Sequence, residues 1–137
     1  MKKANELLLE FTALASRDPQ KAAEMFTEDG AFEMPFLATF GFAPKYKGRE
    51  VIAGFLQFVH ELYPDFEFKN VQVLIDTPQQ VFAECEFTAF SSRTERQVSR
   101  HSFGRLVAEN GRIKLLREAA NIFEEACATI VEGVGLP

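Results

Sequence analysis

Hydrophobic side chains recur at helical spacing in the first half of the chain and in alternate positions in the second half. The helical spacing predicts a first helix over 3–16 and a third over 49–62. Between them Asp18-Pro19 is typical of a helix start, with aspartate as N-cap and proline in the first turn. This short second helix is expected to stop near 29–30. The apolar face of the third helix consists of Val51, Ile52, Phe55, Phe58, Val59 and Leu62.

The segment between the second and third helices combines a short strand with an aromatic loop. We predict a strand over 31–36, which Pro35 limits to a sheet edge or a strand end. Residues 37–47 are predicted as an irregular loop. Because exposed phenylalanine is unfavourable, we expect this loop to fold over something apolar.

Beyond Pro64 the apolar positions alternate, which predicts strands joined by short turns. A change of phase near Lys69-Asn70 indicates a bulge. Further strands are predicted over 80–91, about 96–109 and 112–120, and Asn110-Gly111 marks a tight hairpin between the last two. A short C-terminal helix is expected to begin at Asn121.

An antiparallel sheet needs cover on its apolar face, and the three helices that precede most of it can supply that cover. The fold class is therefore α+β: a curved, mostly antiparallel sheet covered by three N-terminal helices. No repeat or linker divides the chain, so 1–137 is predicted to be one domain.

Composition narrows the classes of function. The chain has 15 phenylalanines and no tryptophan, which favours either an aromatic core or a lined cavity. With a net charge of −5 and scattered basic residues, nucleic-acid binding is not expected. The apolar runs are shorter than the ~18 residues of a membrane span, and no signal peptide is recognised, so we expect a cytoplasmic protein that does not bind membranes. Cys85 and Cys127 lack metal-ligand spacing and no phosphate loop is present, so no metal or other cofactor is expected.

Three stretches, taken together, resemble one superfamily. They are 25–36 (MFTEDGAFEMPF), 46–52 (YKGREVI) and 110–118 (NGRIKLLRE), the last followed by Asn121. In this order the chain resembles the nuclear transport factor 2-like superfamily, and most closely its SnoaL-like branch. The resemblance implies a cone-shaped α+β barrel with a pocket between helices and sheet, and frequent homodimers through the outer sheet face. Members include ketosteroid isomerases, polyketide cyclases, epoxide hydrolases, dehydratases and non-catalytic domains, so fold does not determine function.

The catalytic residues of the isomerase branch do not carry over. The position of its general base is occupied by Met34, which cannot accept a proton. Its oxyanion-hole tyrosine corresponds to Glu10, and its second oxyanion donor falls near Phe103. Steroid isomerisation by that mechanism is therefore not expected.

Two other residues are candidates for proton transfer. If Phe103 and Val107 face the pocket, alternation also turns Ser99, His101 and Arg105 inward. Histidine exchanges protons near neutral pH, which makes His101 a catalytic candidate. The alternative is a structural or exposed histidine, since a single bulge would reverse the phase of this strand.

The resemblance places Glu118 inward, together with Leu116 and Ala120, while Arg117 faces the other side. A carboxylate in an aromatic pocket can act as an acid or a base. The alternative is a glutamate paired with arginine or lysine at the barrel mouth. A pair between Glu118 and His101 on adjacent strands is the arrangement expected for an enzyme.

The expected partner is a small apolar or amphipathic organic molecule held by an aromatic wall. Asn121 has helix capping as its alternative role, and for Tyr46 and the phenylalanines the alternative is packing. Three hypotheses stay open: an acid–base cyclase, hydrolase, dehydratase or isomerase; a ligand carrier without turnover; and a dimeric assembly domain. The expected substrate-binding residues are Met34, Phe36, Phe40, Phe42, Tyr46, Phe55, Phe58, Phe87, Phe103 and Asn121.

Overall fold

The computed structural model describes residues 1–123, which form three α-helices, one 3₁₀ helix and six strands. The helices are α1 (Ala4–Leu14), α2 (Pro19–Glu24) and α3 (Arg49–Leu62), and the 3₁₀ helix spans Pro35–Phe40. The strands are β1 (Phe26–Glu33), β2 (Lys45–Lys47), β3 (Glu67–Asp76), β4 (Gln80–Phe90), β5 (Gln97–Glu109) and β6 (Arg112–Ala120).

All six strands belong to one mixed sheet, in the order β2-β1-β6-β5-β4-β3. β1 runs parallel to β6, and every other neighbouring pair is antiparallel. The helices cover one face, which we call the inner face; the opposite side is the outer face. The predicted α+β class, with a curved sheet under three N-terminal helices, is confirmed.

The helices follow the predicted pattern, with one boundary error. α1 buries Leu7 and Phe11 against the sheet, and α3 has the predicted bounds. Asp18 caps α2, accepting a hydrogen bond of 3.1 Å from the backbone N–H of Lys21. However, α2 ends at Glu24, several residues earlier than predicted.

The first strand lies closer to the N-terminus than the predicted 31–36. It begins at Phe26, which is fully buried and pairs with Ile113 of β6, and ends at Glu33 because Pro35 starts the 3₁₀ helix. The register shifts between Phe26 and Ala31. The aromatic segment 37–47, predicted to be irregular, contains most of the 3₁₀ helix and the edge strand β2.

The predicted bulge in β3 is confirmed, since the register with β4 shifts between Lys69 and Gln72 and Asn70 has a φ of 51°. The hairpin at Asn110-Gly111 is also present, with both residues at positive φ. Beyond it, β6 has the predicted bounds.

The predicted orientation of β5 is wrong. Val98, Arg100, Ser102 and Leu106 are buried on the inner face, whereas Ser99, His101, Phe103 and Arg105 are exposed. The register with β4 explains this, because directly paired residues share a face of the sheet. On β4 Cys85 pairs with Ser102, and Phe87 pairs with Arg100.

The predicted C-terminal helix lies almost entirely outside the described residues. At its expected start, the side chain Oδ1 of Asn121 accepts a hydrogen bond of 3.1 Å from the backbone N–H of Phe123. This contact agrees with the capping alternative for Asn121.

Candidate functional site

A cavity of about 600 Å³ lies between the inner face of the sheet, α1, α3 and the 3₁₀ helix. Its wall is almost wholly apolar. The apolar and tyrosine lining consists of Phe11, Ala15, Phe32, Met34, Leu37, Phe40, Phe42, Tyr46, Phe55, Leu56, Phe58, Val59, Leu62, Tyr63, Phe66, Phe68, Phe87 and Ile122.

Ring contacts fix much of this wall. Phe87 lies 5.4 Å from Phe66 in a stacked arrangement, and its ring centroid is 5.9 Å from that of Tyr63 and 5.6 Å from that of Phe68. Tyr46 stacks on a second phenylalanine, Phe55 of α3, at 4.0 Å. Burial raises the pKa of Tyr46, so its hydroxyl remains a neutral donor and acceptor.

The wall of the cavity also contains a buried ion pair on the inner face of the sheet. Nη2 of Arg100 donates a hydrogen bond of 2.7 Å to Oε1 of Glu118, and the two side chains are only 5% and 9% exposed. The guanidinium also lies 4.2 Å from the ring centroid of Phe87, within the range of a cation–π interaction. A further arginine, Arg93, lines the cavity from the exposed loop between β4 and β5.

Strand register explains how the ion pair forms. Glu118 pairs directly with Gly104 of β5, and Arg100 lies on the same face of β5, four residues towards its start. The arginine side chain is long enough to reach along the strand to the carboxylate. Because each charged group has an oppositely charged partner, both can be buried in an apolar wall.

A second, much smaller cavity of about 30 Å³ also has Glu118 in its wall. Cys85 and Ser102, a directly paired couple on β4 and β5, line it as well. Burial, followed by the negative charge of Glu118, raises the pKa of the Cys85 thiol to about 11. This thiol therefore stays protonated near neutral pH.

His101 lies on the outer face, so its predicted pairing with Glu118 is wrong. Its Nε2 is instead 2.9 Å from Oε2 of Glu84, and its side chain is 51% exposed. The expected inward orientation of Glu118 is confirmed, since this residue is 8% exposed and lines both cavities. Its actual partner is arginine, as in the alternative kept open above.

Seven of the ten expected binding residues lie on the wall of the large cavity: Met34, Phe40, Phe42, Tyr46, Phe55, Phe58 and Phe87. Three lie elsewhere. Phe36 is 53% exposed, Phe103 stacks with Phe82 on the outer face at 6.0 Å, and Asn121 caps the following residues. The expected orientation of Phe103 into the pocket is thus wrong, because it shares the phase of His101.

Sequence reasoning missed Arg100, which is the most informative polar residue of the cavity. Its signal was present, because Val98 and Leu106 lie in the same phase of β5 as Arg100. Within residues 1–123 no three histidine, cysteine, aspartate or glutamate side chains are arranged to hold a metal ion. The helices in that part of the chain are too short or too polar to cross a membrane.

Comparison with known proteins identifies the family of this chain. The model of the SnoaL-like domain matches residues 9–116, most of the chain. The chain belongs to the SnoaL-like family. No curated protein matches the chain significantly.

Solved structures support the same nuclear transport factor 2-like fold. A phenazine biosynthesis-related protein from Pseudomonas aeruginosa is 22% identical, with a TM-score of 0.80 over 98% of this chain and 85% of that chain. A candidate polyketide cyclase from Xanthomonas campestris pv. campestris is 18% identical, with a TM-score of 0.78 over 93% and 96%. A nuclear transport factor 2-like protein from Burkholderia xenovorans is 17% identical, with a TM-score of 0.75 over 93% and 95%. At these identities the likeness shows the fold alone.

Proposed function

We propose that this SnoaL-like protein binds a small, mainly apolar organic molecule in the large cavity, with the Arg100–Glu118 pair as its polar contact. The observation that carries the proposal is an ion pair buried at the wall of an otherwise aromatic cavity. A volume of about 600 Å³ lies within the range of about 300–1,000 Å³ typical of small-molecule sites. Such sites combine apolar walls with a few polar groups that orient the ligand.

The wall chemistry narrows the ligand class. Phenylalanine and tyrosine rings on the sheet, α1 and α3 favour a flat, unsaturated or aromatic molecule, because rings stack in offset or edge-to-face geometry. Arg100 and Glu118 together supply both donors and an acceptor. A polycyclic ketone or phenol, with one oxygen at the ion pair and its rings among the phenylalanines, fits this arrangement.

If the ligand is turned over, Glu118 is the proton acceptor. Glu118 lines the large cavity as well as pairing with Arg100, so its carboxylate can accept a proton from a bound ligand. Met34 cannot perform this role, and His101 lies on the other face of the sheet. The reaction class is therefore acid–base chemistry such as cyclisation, dehydration or isomerisation. A carrier without turnover is the rival, because an ion pair can also serve only to orient a bound molecule.

Two valines of α3 provide a matched test of binding. Val59 lines the cavity, whereas Val51 is 51% exposed and lies outside it. Val59→Trp should weaken binding of the amphipathic dye 1-anilinonaphthalene-8-sulfonate several-fold in a fluorescence titration, and Val51→Trp should leave it unchanged. Equal affinities for both variants and the parent protein would refute binding in this cavity.

Mass spectrometry of the purified protein under native conditions would identify a co-purified ligand. With that molecule as substrate, Glu118→Gln should abolish turnover while retaining binding, and His101→Gln should retain both. Binding without turnover by the parent protein under every condition would favour the carrier. Full turnover by Glu118→Gln would refute the role of Glu118.

We also propose that two copies associate through the outer face of the sheet. Phe82 and Phe103 stack there, remain 37% and 40% exposed, and are joined by His101, whose ring lies 5.2 Å from that of Phe103. Phe103→Ser should shift the molar mass measured by light scattering towards that of a monomer. Phe36→Ser, at an exposed phenylalanine elsewhere, is the control; a monomeric parent protein would refute the dimer.

A further inference from the structure

The small cavity behind Glu118 contains an unsatisfied polar atom. Ser102 is 1% exposed, and its Oγ makes no hydrogen bond with the described part of the chain. A buried hydroxyl without a partner is destabilising, so such an atom requires an explanation. The hydroxyl lies in the wall of the small cavity, on the inner face of β5.

The small cavity has room for a water molecule. Its volume is about 30 Å³, and one water needs at least about 10–15 Å³. Its wall is mostly apolar, with Phe11 and Leu116 among its residues, so a water there depends on the few polar groups of the wall. Buried waters also need two or more polar partners. Ser102 and Glu118 both line the cavity, as does Thr12, whose hydroxyl donates a hydrogen bond of 3.0 Å to the carbonyl of Leu9.

Gly104 creates the space for this molecule. It faces inward on β5, paired with Ala83 on one side and Glu118 on the other, and it lines the small cavity. A Cβ atom added at this position would meet only the carbonyl oxygen of Arg117, at 3.6 Å. A methyl group therefore fits without backbone strain and would occupy part of the cavity.

We propose that the small cavity is a binding site for one water molecule, which accepts a hydrogen bond from Ser102 and donates one to the carboxylate of Glu118. Glu118 is then anchored on two sides, by Arg100 at Oε1 and by the water from the side of the small cavity. Ser102 and Gly104 become positioning residues for Glu118. The inference goes beyond the proposed function, since it holds whatever fills the large cavity.

The direction of the change in Tm caused by Ser102→Ala distinguishes a water site from a dry cavity. If Ser102 holds a water, Ser102→Ala removes a hydrogen bond and should lower Tm by about 3–5 °C. If the hydroxyl has no partner, the same change removes a buried unsatisfied group and should raise Tm. An unchanged or raised Tm overturns the proposal.

The second arm removes the water sterically. In a Gly104→Ala background the methyl group displaces the water, so Ser102→Ala should now raise Tm, a reversal of sign relative to the parent protein. Gly54→Ala is the matched control, because its Cβ meets nothing within 4 Å, and the effect of Ser102→Ala should be unaltered in that background.

Nuclear magnetic resonance gives a readout that stability cannot mimic. A long-lived water should produce a nuclear Overhauser cross-peak between solvent and the backbone N–H of Ser102 or Gly104, and this peak should vanish in Gly104→Ala. Absence of the cross-peak from the folded parent protein, or its persistence in Gly104→Ala, would overturn the water site.

Discussion

The thiol of Cys85 reports the charge of Glu118, which makes the ion pair accessible to a chemical measurement. Burial is the main cause of its raised pKa, the negative charge of Glu118 is the next, and the positive charge of Arg100 opposes both. Glu118→Gln preserves the size of the side chain and an oxygen for Arg100 but removes the charge. The pKa of Cys85 should therefore fall towards, without reaching, its ordinary value.

The pKa of Cys85 determines how slowly its thiol is alkylated in the parent protein. With a pKa of about 11, about 0.1% of the thiol is ionised at pH 8, compared with about 10% for an ordinary thiol pKa of 9.0. Since the thiolate is the nucleophile, alkylation at pH 8 should be about 100-fold slower than for an unperturbed thiol. Glu118→Gln should accelerate alkylation at pH 8 and move the midpoint of the pH–rate profile downward.

The assay is alkylation by iodoacetamide, followed by mass spectrometry from pH 7 to about pH 12, in a Cys127→Ser background, which leaves Cys85 as the only thiol. The midpoint reports the pKa independently of how easily the reagent reaches the sulfur. Glu86→Gln is the control, because Glu86 raises the pKa of Cys85 less than Glu118 does and its removal should shift the midpoint less. A parent midpoint near 9, or an unchanged midpoint in a folded Glu118→Gln variant, would refute the argument.

Three further predictions concern stability. Gly30→Ala should destabilise the fold by about 1–3 kcal/mol in urea unfolding, because its Cβ would lie 2.9 Å from the carbonyl oxygen of Ile113; an unchanged midpoint would contradict this packing. Asp18→Ala removes the cap of α2 and should cost about 1 kcal/mol in the same assay, whereas Asp18→Asn should retain most of the stability. The pKa of the Cys85 thiol is higher in the folded than in the unfolded protein. Its contribution to stability is therefore complete below pH 9.0 and is lost as the pH rises to about 11. In Cys85→Ser, Tm should fall less steeply between these two pH values.

The sequence predicts best those elements with a regular period or a clear boundary signal. α3 has the predicted bounds because its apolar positions follow one helical period. β6 has them because the turn at Asn110-Gly111 fixes its start, although its phase changes at Leu115-Leu116. The start of β1 was missed, since Phe26 continues the helical spacing of α2. Only its pairing with Ile113, far away in the chain, makes Phe26 part of a strand. Tertiary contacts of this kind override local preference.

The site was predicted in part for a related reason. Both phases of β5 carry apolar residues, Phe103 and Val107 in one and Val98 and Leu106 in the other, so alternation alone does not decide which side faces inward. The register with β4 decides it, and this depends on the length and conformation of the loop between the two strands. The observed register turns Arg100 towards Glu118. A shift of β5 by one residue would turn His101 inward instead.

The large cavity opens to solvent at its rim, where Phe42 and Phe58 are 45% and 41% exposed. Without a ligand its space holds water. Water against phenylalanine rings finds few hydrogen-bond partners, so an apolar molecule that displaces it gains free energy. Such a ligand should raise Tm with the logarithm of its concentration above Kd. Two results together would contradict this account: a Tm that no tested apolar ligand changes, and a crystal structure in which ordered water fills the cavity.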